Sequence, residues 1–466
     1  MSQNGLSLPA SAPAPRPASR IMSGLPRRLI ALAGRDTNIV VLFVILNNML
    51  RAVSSIVLTR LLMPEVFGIS GILASITFTA AMVSDLGFQA FVVRHEDGDR
   101  PRFLDTVWTI SLIRSAALSL LLVALAEPIA LLLDKPELAP LIAAYSLTFA
   151  IEGVASLTLL TALRNRMILR LSLLELAVAV VQILLSALFA YLWRTPWAII
   201  VALLGSSALK SLLSYAMFAD SARRLAFDRR YARDLWRFAR FVTGSSIITL
   251  LLVQCDKLVF ARFMPLDEFG FYILAGNLAS APLAFTTAYA SRVLYPSYSQ
   301  LWRDGCADLR AQFYARRRLP SLLYSLATGG LIGCAPLVIA ILYDPRYADA
   351  GLYLRILAIM PLFALPSNAA NEALTATGRI RATFEASVVK LLWLGLMGPA
   401  AFLSEGIFGL VVVVALMEAP ALLFKWVLMH RAGLLDLRQE MLFAGAAVAG
   451  MAAGAAGDFL LRPLSG

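Results

Sequence analysis

Long apolar runs recur from one end of this chain to the other, and they limit its possible folds more than any other feature. The chain has 466 residues, of which 59% are hydrophobic and 15% charged. A soluble domain contains roughly 45–50% apolar and about 25% charged residues. Many of the runs reach the ~20 residues that an α-helix needs to cross the hydrocarbon core of a bilayer. The sequence therefore predicts an all-α polytopic membrane protein.

Charged or turn-rich breaks divide these runs into thirteen candidate membrane spans. The spans are residues 38–62, 66–93, 103–132, 138–163, 169–193, 196–219, 238–263, 267–291, 319–342, 350–377, 380–403, 405–428 and 440–461. The three cysteines lie far apart along the chain, so they suggest neither a disulfide framework nor a metal cluster. We expect no cofactor.

The distribution of basic residues orients the spans, because loops rich in Lys and Arg stay on the cytoplasmic side. With the N-terminus placed inside, most of the 41 Lys and Arg residues fall in predicted cytoplasmic segments. Each predicted outer segment carries one basic residue: Arg60, Lys135, Arg194, Arg262, Arg346 and Arg462. The net charge of +12 then reflects membrane topology and does not require a nucleic-acid partner.

Three pairs of motifs indicate that the chain contains two related halves. "RLLMPEVFG" resembles "ARFMPLDEFGFY", "PIALLLDKP" resembles "LVIAILYDP", and "LTALRNR" resembles "LTATGRIR". The pairs occur in the same order along the chain, with shifts of 201, 210 and 214 residues. Because each repeat unit holds six spans, both units enter the membrane from the same side. The expected symmetry axis therefore runs along the membrane normal.

The repeat predicts a division into domains. Residues 38–219 form an N-terminal lobe of six transmembrane helices, and residues 238–430 form a C-terminal lobe of six. Residues 220–237 are a basic cytoplasmic linker, and residues 431–466 supply an accessory helix and the C-terminus. Residues 1–37 are rich in Pro, Ala and Ser and lack the apolar core of a signal peptide, so we interpret them as a flexible cytoplasmic tail.

The first span carries its polar residues along one face. On a helical wheel of about 100° per residue, a stripe within about 140° of arc holds Asn47, Asn48, Arg51, Ser54, Ser55 and Thr59. A cation at mid-membrane costs at least ~2.5–3.5 kcal/mol when it faces lipid, so it normally faces a partner or a water-filled cavity. The other ionisable residues that we single out within spans are Asp85, Arg114, Glu152, Lys210, Asp256, Lys257 and Lys390.

Two interpretations of these charges remain open. They form ion pairs that fasten neighbouring helices together, or they line a polar cavity between two lobes, where the cations hold an anion. We favour the cavity, because Arg51, Arg114 and Lys257 lie near the middle of their spans.

Several stretches resemble the polysaccharide transporter family of bacterial oligosaccharide flippases. This family lies within the multidrug/oligosaccharidyl-lipid/polysaccharide exporter superfamily. The resemblance is carried by "TRLLMPEVFGISGIL", "SDLGFQAFVVR", "LDTVWTISLIRSAALSLLL", "QCDKLVFARFMPLDEFGFYILAGNLASAP" and "VLYPSYSQL". Their order and spacing match the family from about residue 38 to residue 430.

The resemblance implies a V-shaped pair of six-helix bundles around a central cationic lumen. Members of the family move undecaprenyl-diphosphate-linked sugar repeat units across the bacterial inner membrane, for exopolysaccharide, capsule or O-antigen synthesis. By this analogy, Arg51 is a lumen cation that binds the diphosphate, since Arg and Lys are strong donors to phosphate oxygens. The helping residues are Arg114, Lys257, Lys210, Lys390, Asn47 and Asn48. The candidates for charge partners or ion-coupling sites are Asp85, Glu152 and Asp256.

Other functions compete with this interpretation. A lipid II flippase shares the fold, and a drug/cation antiporter of the same superfamily prefers acidic residues in its lumen. A membrane glycosyltransferase, polymerase or ligase generally carries a sizeable outer catalytic loop, whereas every predicted outer loop here is short. We therefore expect a transporter and not an enzyme, with pathway glycosyltransferases and a polymerase as candidate partners. A scaffold without transport activity would not need charges at mid-membrane.

Overall fold

The computed structural model describes residues 36–165, 167–218 and 222–461, and every regular element in these ranges is helical. The predicted N-terminal tail lies almost entirely outside the described residues. We call residues 36–218 the N-half and residues 229–461 the C-half. Their boundary falls in the basic segment that the sequence predicts as a linker.

The N-half contains eight helices. They are α1 (Asp36–Leu61), α2 (Pro64–Val83), α3 (Phe88–Arg94), α4 (Pro101–Leu132), α5 (Ala139–Val154), α6 (Thr158–Arg164), α7 (Ile168–Trp193) and α8 (Pro196–Ala216). Proline is the first residue of α2, α4 and α8, where its missing N–H costs no hydrogen bond and its fixed φ suits the helix.

The C-half contains ten helices. They are α9 (Arg229–Phe263), α10 (Leu266–Tyr289), α11 (Tyr295–Arg303), α12 (Leu309–Gly333), α13 (Ala335–Leu342), α14 (Ala350–Leu357), α15 (Ile359–Ala376), α16 (Arg381–Ala415), α17 (Glu418–Arg431) and α18 (Leu437–Leu461). A π-helical turn, Ala290–Leu294, joins α10 to α11.

Each of the thirteen predicted spans falls on one or two of these helices. Within the described residues, nine helical segments are long and apolar enough to cross a membrane, or eleven if two bent pairs are each one span. One of the nine, Arg381–Arg431, contains most of two predicted spans, and the non-helical Gly406 lies close to the boundary between them, at the start of the second. The chain is therefore an all-α, multi-pass membrane protein.

The helix ends meet in two groups, in agreement with the predicted alternation of the loops. The ends near residues 62, 135, 262 and 346 contact one another, and we call these the outer ends after the predicted orientation. Side-chain contacts also join the ends near residues 97, 164 and 231, which we call the inner ends.

The most extensive continuity of buried apolar side chains between the halves lies toward the outer ends of the described helices. One large cluster there includes Ile72 and Leu73 of α2 together with Phe269 and Leu274 of α10. Toward the inner ends, one cluster contains Phe91 and Phe103 with the start of α9, and a different cluster contains C-half residues such as Tyr298. The two halves are thus joined extensively at their outer ends, whereas at their inner ends the N-half packs on the start of α9 and the other C-half helices form a core of their own.

The last helix, α18, packs closely along α12. A Cβ placed on Gly450 of α18 would lie 2.1 Å from the carbonyl oxygen of Leu326, so this contact requires glycine. Near the inner end, Arg317 of α12 and Glu440 of α18 form a fully buried ion pair, to which the Tyr314 hydroxyl donates a hydrogen bond of 2.7 Å. The helix predicted to be accessory is therefore tightly integrated into the C-half.

Candidate binding cleft between the two halves

The closest approach between the halves is a crossing of α2 and α10 at two glycines. A Cβ on Gly68 would lie 2.0 Å from the carbonyl oxygen of Leu266, and a Cβ on Gly270 would lie 2.1 Å from that of Pro64. Any side chain at either position would therefore force the helices apart. Both glycines belong to the repeated motifs "MPEVFG" and "MPLDEFG", so equivalent positions of the two repeat units meet at this crossing.

Two repeat-related loops reinforce the crossing with basic side chains. Lys135 Nζ donates a hydrogen bond of 2.9 Å to the carbonyl oxygen of Ala261, at the end of α9. Arg346 Nη2 donates to the carbonyl oxygen of Arg60, at the end of α1, at 3.2 Å. Each half thus places a cation on the C-terminal carbonyls of the first helix of the other half, where the helix dipole favours positive charge.

Further contacts at the outer ends hold these loops in position. Arg262 pairs with Asp134 across the halves at 3.2 Å, and the Tyr347 hydroxyl donates to the carbonyl oxygen of Leu62 at 2.9 Å. Arg346 also bonds Asp344 at 2.8 Å, and this hydrogen bond lowers the pKa of the Asp344 carboxyl. Asp344 therefore stays ionised at neutral pH and keeps the guanidinium of Arg346 in place.

Inward of the crossing, α10 presents a stripe of small polar side chains. Helix positions three or four residues apart share a face. The face that meets α2 at Gly270 therefore continues through Asn277, Ser280, Thr287 and Ser291, all of which are exposed. We infer that this face lines a cleft between the halves. Sequence analysis missed the stripe because Asn, Ser and Thr interrupt an apolar helix only weakly; their regular spacing was the available signal.

On α1, Arg51 lies on the face that approaches the C-half. One turn toward the outer end, Ser55 donates a 3.2 Å hydrogen bond to the hydroxyl of Tyr343 in the C-half. Arg51 is exposed, and among the described residues its guanidinium has no hydrogen-bond or ion-pair partner. It lines a recess of ≈ 270 Å³ with Phe43, Asn47, Asn48, Ser172, Glu175 and Leu176. The structure thus brings together the three α1 residues that the sequence proposed for the site.

Lys257 is the second candidate cation whose side chain makes no hydrogen bond or close ion pair in the described part of the chain, although the carboxylate of Asp256 lies near enough to interact with its charge. It lies on α9, one turn before Ala261, whose carbonyl accepts the hydrogen bond from Lys135. Its side chain is partly exposed. Because Ala261 contacts the N-half, the same face of α9 directs Lys257 toward the N-half.

Arg114 has a different environment. Its Nε donates to the carbonyl oxygen of Ser84 at 2.7 Å, and its Nη2 donates to the carbonyl oxygen of Ala81 at 3.0 Å and to Ser84 Oγ at 2.8 Å. These carbonyls end α2, and the first four from a helix end lack intrahelical donors. The guanidinium also lies 5.8 Å from the ring centroid of Phe88. These contacts match the helix-fastening interpretation for Arg114.

The remaining two candidate cations form ion pairs within their own halves. Lys210 of α8 lies 3.4 Å from Glu152 of α5, and both side chains are partly exposed. Lys390 of α16 pairs with Glu418 of α17, where both are mostly buried. Neither ammonium is therefore as available to a ligand as the guanidinium of Arg51.

The acidic candidates Asp85 and Asp256 lie in separate networks. Asp85 Oδ1 accepts from the backbone N–H of Gly87 at 2.8 Å, and its Oδ2 accepts from Ser246 Oγ at 3.3 Å. Asp85 thus connects the end of α2 with α9. Asp256 accepts a hydrogen bond from the Tyr272 hydroxyl, within the C-half. No group of three or more metal-ligating side chains occurs in the described ranges.

Helices that pack together at one end, beside a polar recess whose arginine has no partner in the described ranges, are typical of a polytopic membrane transporter. Comparison with known proteins places the chain more narrowly. It belongs to the family described as "Polysaccharide biosynthesis protein", whose model matches residues 57–352.

Solved structures with little sequence similarity share the fold. The inward closed conformation of the lipid II flippase MurJ superposes with a TM-score of 0.65, at 12% identity, over 91% of this chain and 99% of the other. An inward-facing multidrug resistance transporter of the MATE family gives a TM-score of 0.61, at 14% identity, over 86% of this chain and 95% of the other. At this level of identity the similarity establishes the fold alone.

Curated relatives are similar in sequence over much of the chain. The lipopolysaccharide biosynthesis protein WzxC of Escherichia coli (strain K12) is 23% identical over 72% of this chain and 68% of its own length. The succinoglycan biosynthesis transport protein ExoT of Rhizobium meliloti (strain 1021) is 26% identical over 66% of this chain. That alignment spans 62% of ExoT, which is less than two thirds of the relative.

Proposed function

We propose that this protein is a flippase that translocates undecaprenyl-diphosphate-linked oligosaccharide repeat units for polysaccharide biosynthesis, by alternating access between its halves. The observation that carries the proposal is the exposed guanidinium of Arg51 in the recess between α1 and α7, which bonds no other residue that the structure describes. A cation at this depth in the membrane is energetically unfavourable unless it faces a polar partner, a water-filled cavity or a ligand. A diphosphate carries the negative charge that such a cation would bind.

The lipid-linked substrate has three chemically distinct parts, and each has a matching surface. Arg51 and Lys257 supply donors for the diphosphate. The hydroxyl and amide groups along α10 suit the hydroxyl groups of a glycan. Met49 and Val53 of α1 are exposed apolar side chains, and α1 packs chiefly on α7. A polyprenyl chain could therefore stay in the bilayer beside α1 while its head group occupies the cleft.

The outer contacts support an alternating-access cycle that begins with the cleft open to the cytoplasm. In this cycle, the substrate enters the cleft from the inner leaflet while the crossing at Gly68 and Gly270 keeps the outer side closed. Release would require these contacts to separate and the inner ends to meet. We further propose an inner-membrane location with a cytoplasmic N-terminus, which the bias of Lys and Arg toward the inner loops supports.

The alternatives have less support. A drug/cation antiporter would favour acidic residues in its lumen, whereas Asp85 and Asp256 are engaged in structural hydrogen bonds. A lipid II flippase would need the same diphosphate site, but the sequence relatives are named for lipopolysaccharide, succinoglycan, amylovoran and teichuronic acid biosynthesis. We therefore also propose that the protein is not an enzyme, and that glycosyltransferases and a polymerase of its pathway are its partners.

Substitution of Arg51 by Ala tests the proposal. We expect Arg51→Ala to reduce export of the polysaccharide about tenfold or more, since one charge-assisted hydrogen bond contributes about 1.5–3 kcal/mol. Arg51→Lys should retain part of the activity. Protein abundance in the membrane should not change, because Arg51 bonds no other described residue. The measurement is exported polysaccharide per unit of membrane protein in a strain that lacks its own copy.

Arg60→Ala is the matched control, because Arg60 is an exposed arginine on the same helix but lies at the outer end. Full export by Arg51→Ala, or an equal loss in Arg60→Ala, would contradict the proposal.

A further inference from the structure

The C-half encloses a chain of charged side chains that the substrate cleft does not use. Lys425 Nζ of α17 donates to Ser367 Oγ of α15 at 2.9 Å and to the carbonyl oxygen of Ser367 at 3.2 Å. Ser367 Oγ in turn donates to Glu418 Oε2 at 3.1 Å. Glu418 Oε1 accepts from Lys390 Nζ of α16. One hydroxyl thus links two ammonium groups through one carboxylate, across three helices.

This chain is shielded from solvent. Lys425 is 5% exposed and Ser367 is 0% exposed, and the side chains of Lys390 and Glu418 are 18% and 15% exposed. Burial disfavours the charged form of a lysine unless a counter-ion offsets the lost hydration. Glu418 already pairs with Lys390, so Lys425 shares its nearest carboxylate through a hydroxyl. Among the described residues, Lys425 therefore has no carboxylate in direct contact with its ammonium.

The surrounding helices add one further charge close to Lys425. The charged groups that act on its ammonium are Lys390, Glu418 and Glu372, the last from α15. From α10, Thr286 contributes only a hydroxyl, which accepts from Asn368 at 3.0 Å. From α12, the hydroxyl of Tyr324 donates to the carbonyl oxygen of Pro361 at 2.9 Å. Two cations thus face two acids, of which one is directly paired.

A serine hydroxyl that accepts from one group and donates to another can relay a proton. If Lys425 loses its proton along this route, its ammonium becomes an amine, and Glu418 becomes a carboxylic acid. The Lys390–Glu418 ion pair is then broken, and the proton can leave on the more exposed side. A change in the Lys390–Glu418 pair can reach the N-half through packed helices. The helix α16, which carries Lys390, packs on α9, and α9 packs on α2 of the N-half.

We infer that Lys425, Ser367, Glu418 and Lys390 form a proton-binding site that couples proton uptake and release to the relative position of the two halves. This inference deepens the proposed transport function and rests on it for the role of the proton. It also assigns coupling to a different set of residues from Asp85, Glu152 and Asp256, which the sequence suggested.

The test measures the separation of the halves as a function of pH, without any substrate. The full chain, with its three cysteines replaced, carries spin labels at Arg102 and Ala307, which are exposed at inner ends of the N-half and the C-half. It is reconstituted in nanodiscs, and distances are recorded by double electron–electron resonance between pH 5 and 9. We expect the unsubstituted site to give two populations whose ratio changes with pH. Lys425→Met should abolish that change.

Two further variants keep the result decisive. Lys210→Met is the matched control, since it removes a lysine that is paired in the N-half, and it should keep the full pH response. Ser367→Ala retains both lysines but cuts the relay, so it should move the midpoint of the response if Lys425→Met does not fold. A pH-independent ratio in the unsubstituted site, or an unchanged midpoint in the folded variants, would overturn the inference. Arg51→Ala should leave the pH response intact, because it does not alter the proton-binding site. The proposed substrate site is tested separately: normal export by Arg51→Ala would contradict that site without affecting the pH result.

Discussion

Arg51 and Arg114 lie at similar depth in the predicted spans, yet their guanidinium groups have different surroundings. Depth and helix face can be predicted from sequence, because they depend only on span boundaries and on the helical period. The partner of each cation cannot be predicted from sequence, because the partner depends on which other helix lies beside the cation in the folded protein. Arg114 reaches the end of α2 and Lys390 reaches Glu418, while Arg51 remains unpaired among described residues.

Arg114→Ala should lower the stability of the protein. The substitution removes the guanidinium donors from the partly buried carbonyl oxygens of Ala81 and Ser84, of which only that of Ala81 keeps another donor, Ser84 Oγ at 3.1 Å, and each hydrogen bond to a charged group contributes about 1.5–3 kcal/mol. We expect a lower thermal unfolding midpoint in detergent and less protein in the membrane, with export per molecule reduced much less than in Arg51→Ala. Arg114→Lys, which restores one donor, should recover part of the stability. A large loss of export at normal abundance would instead assign Arg114 to the substrate.

At the scale of elements, the crossing of α2 and α10 controls the outer side. The repeated motifs identified Gly68 and Gly270 as equivalent positions, but they did not predict that the two residues meet. Contact between repeat-related helices requires knowledge of where the symmetry axis lies. The packing of all the helices sets the position of that axis, and the residue pattern of a single helix carries no information about this packing.

Gly68→Leu should prevent closure of the outer side, because its side chain would overlap the backbone at Leu266. We expect a cysteine introduced at Ser55 to react faster with a membrane-impermeant maleimide added from outside, and export to fall. Gly457→Leu on α18 is the control, since no atom lies within 4 Å of a Cβ at Gly457. Unchanged labelling in Gly68→Leu would show that the crossing does not seal the cleft.

At the scale of the whole molecule, the sequence predicted an all-α, multi-pass membrane protein, and each of its thirteen spans falls on one or two described helices, although only nine to eleven segments of the described residues meet the criteria of length and apolar character for crossing a membrane. Apolar run length is a local property that the bilayer thickness dictates. The cores are asymmetric, because one large cluster joins the halves toward the outer ends while only the start of α9 packs on the N-half toward the inner ends, and this asymmetry arises from long-range contacts. Of the candidate site, the stripe on α1 was predicted, whereas the polar face of α10 and the separate ion pairs of Lys210 and Lys390 were not.

A reversible cross-link across the outer ends should stop transport. Asp134 and Arg262 pair at 3.2 Å, so Asp134→Cys and Arg262→Cys place two thiols across the halves. In a background without native cysteines, we expect a bifunctional thiol reagent with a reducible spacer to abolish export, because it bridges the gap that the shorter cysteine side chains leave, and reduction of the spacer to restore export. Each single variant should be insensitive to the reagent. Continued export by fully cross-linked protein would exclude separation of the outer ends as a step in the cycle.

Lys135 and Arg346 contact main-chain oxygens of the opposite half, and every residue has such an oxygen whatever its side chain. Amino-acid changes at Arg60 or Ala261 therefore leave the acceptors unchanged. Exchanging one half for that of a distant relative would preserve this junction, provided that the two glycines remain. Lineages could thus recombine halves and keep the junction at the outer ends intact.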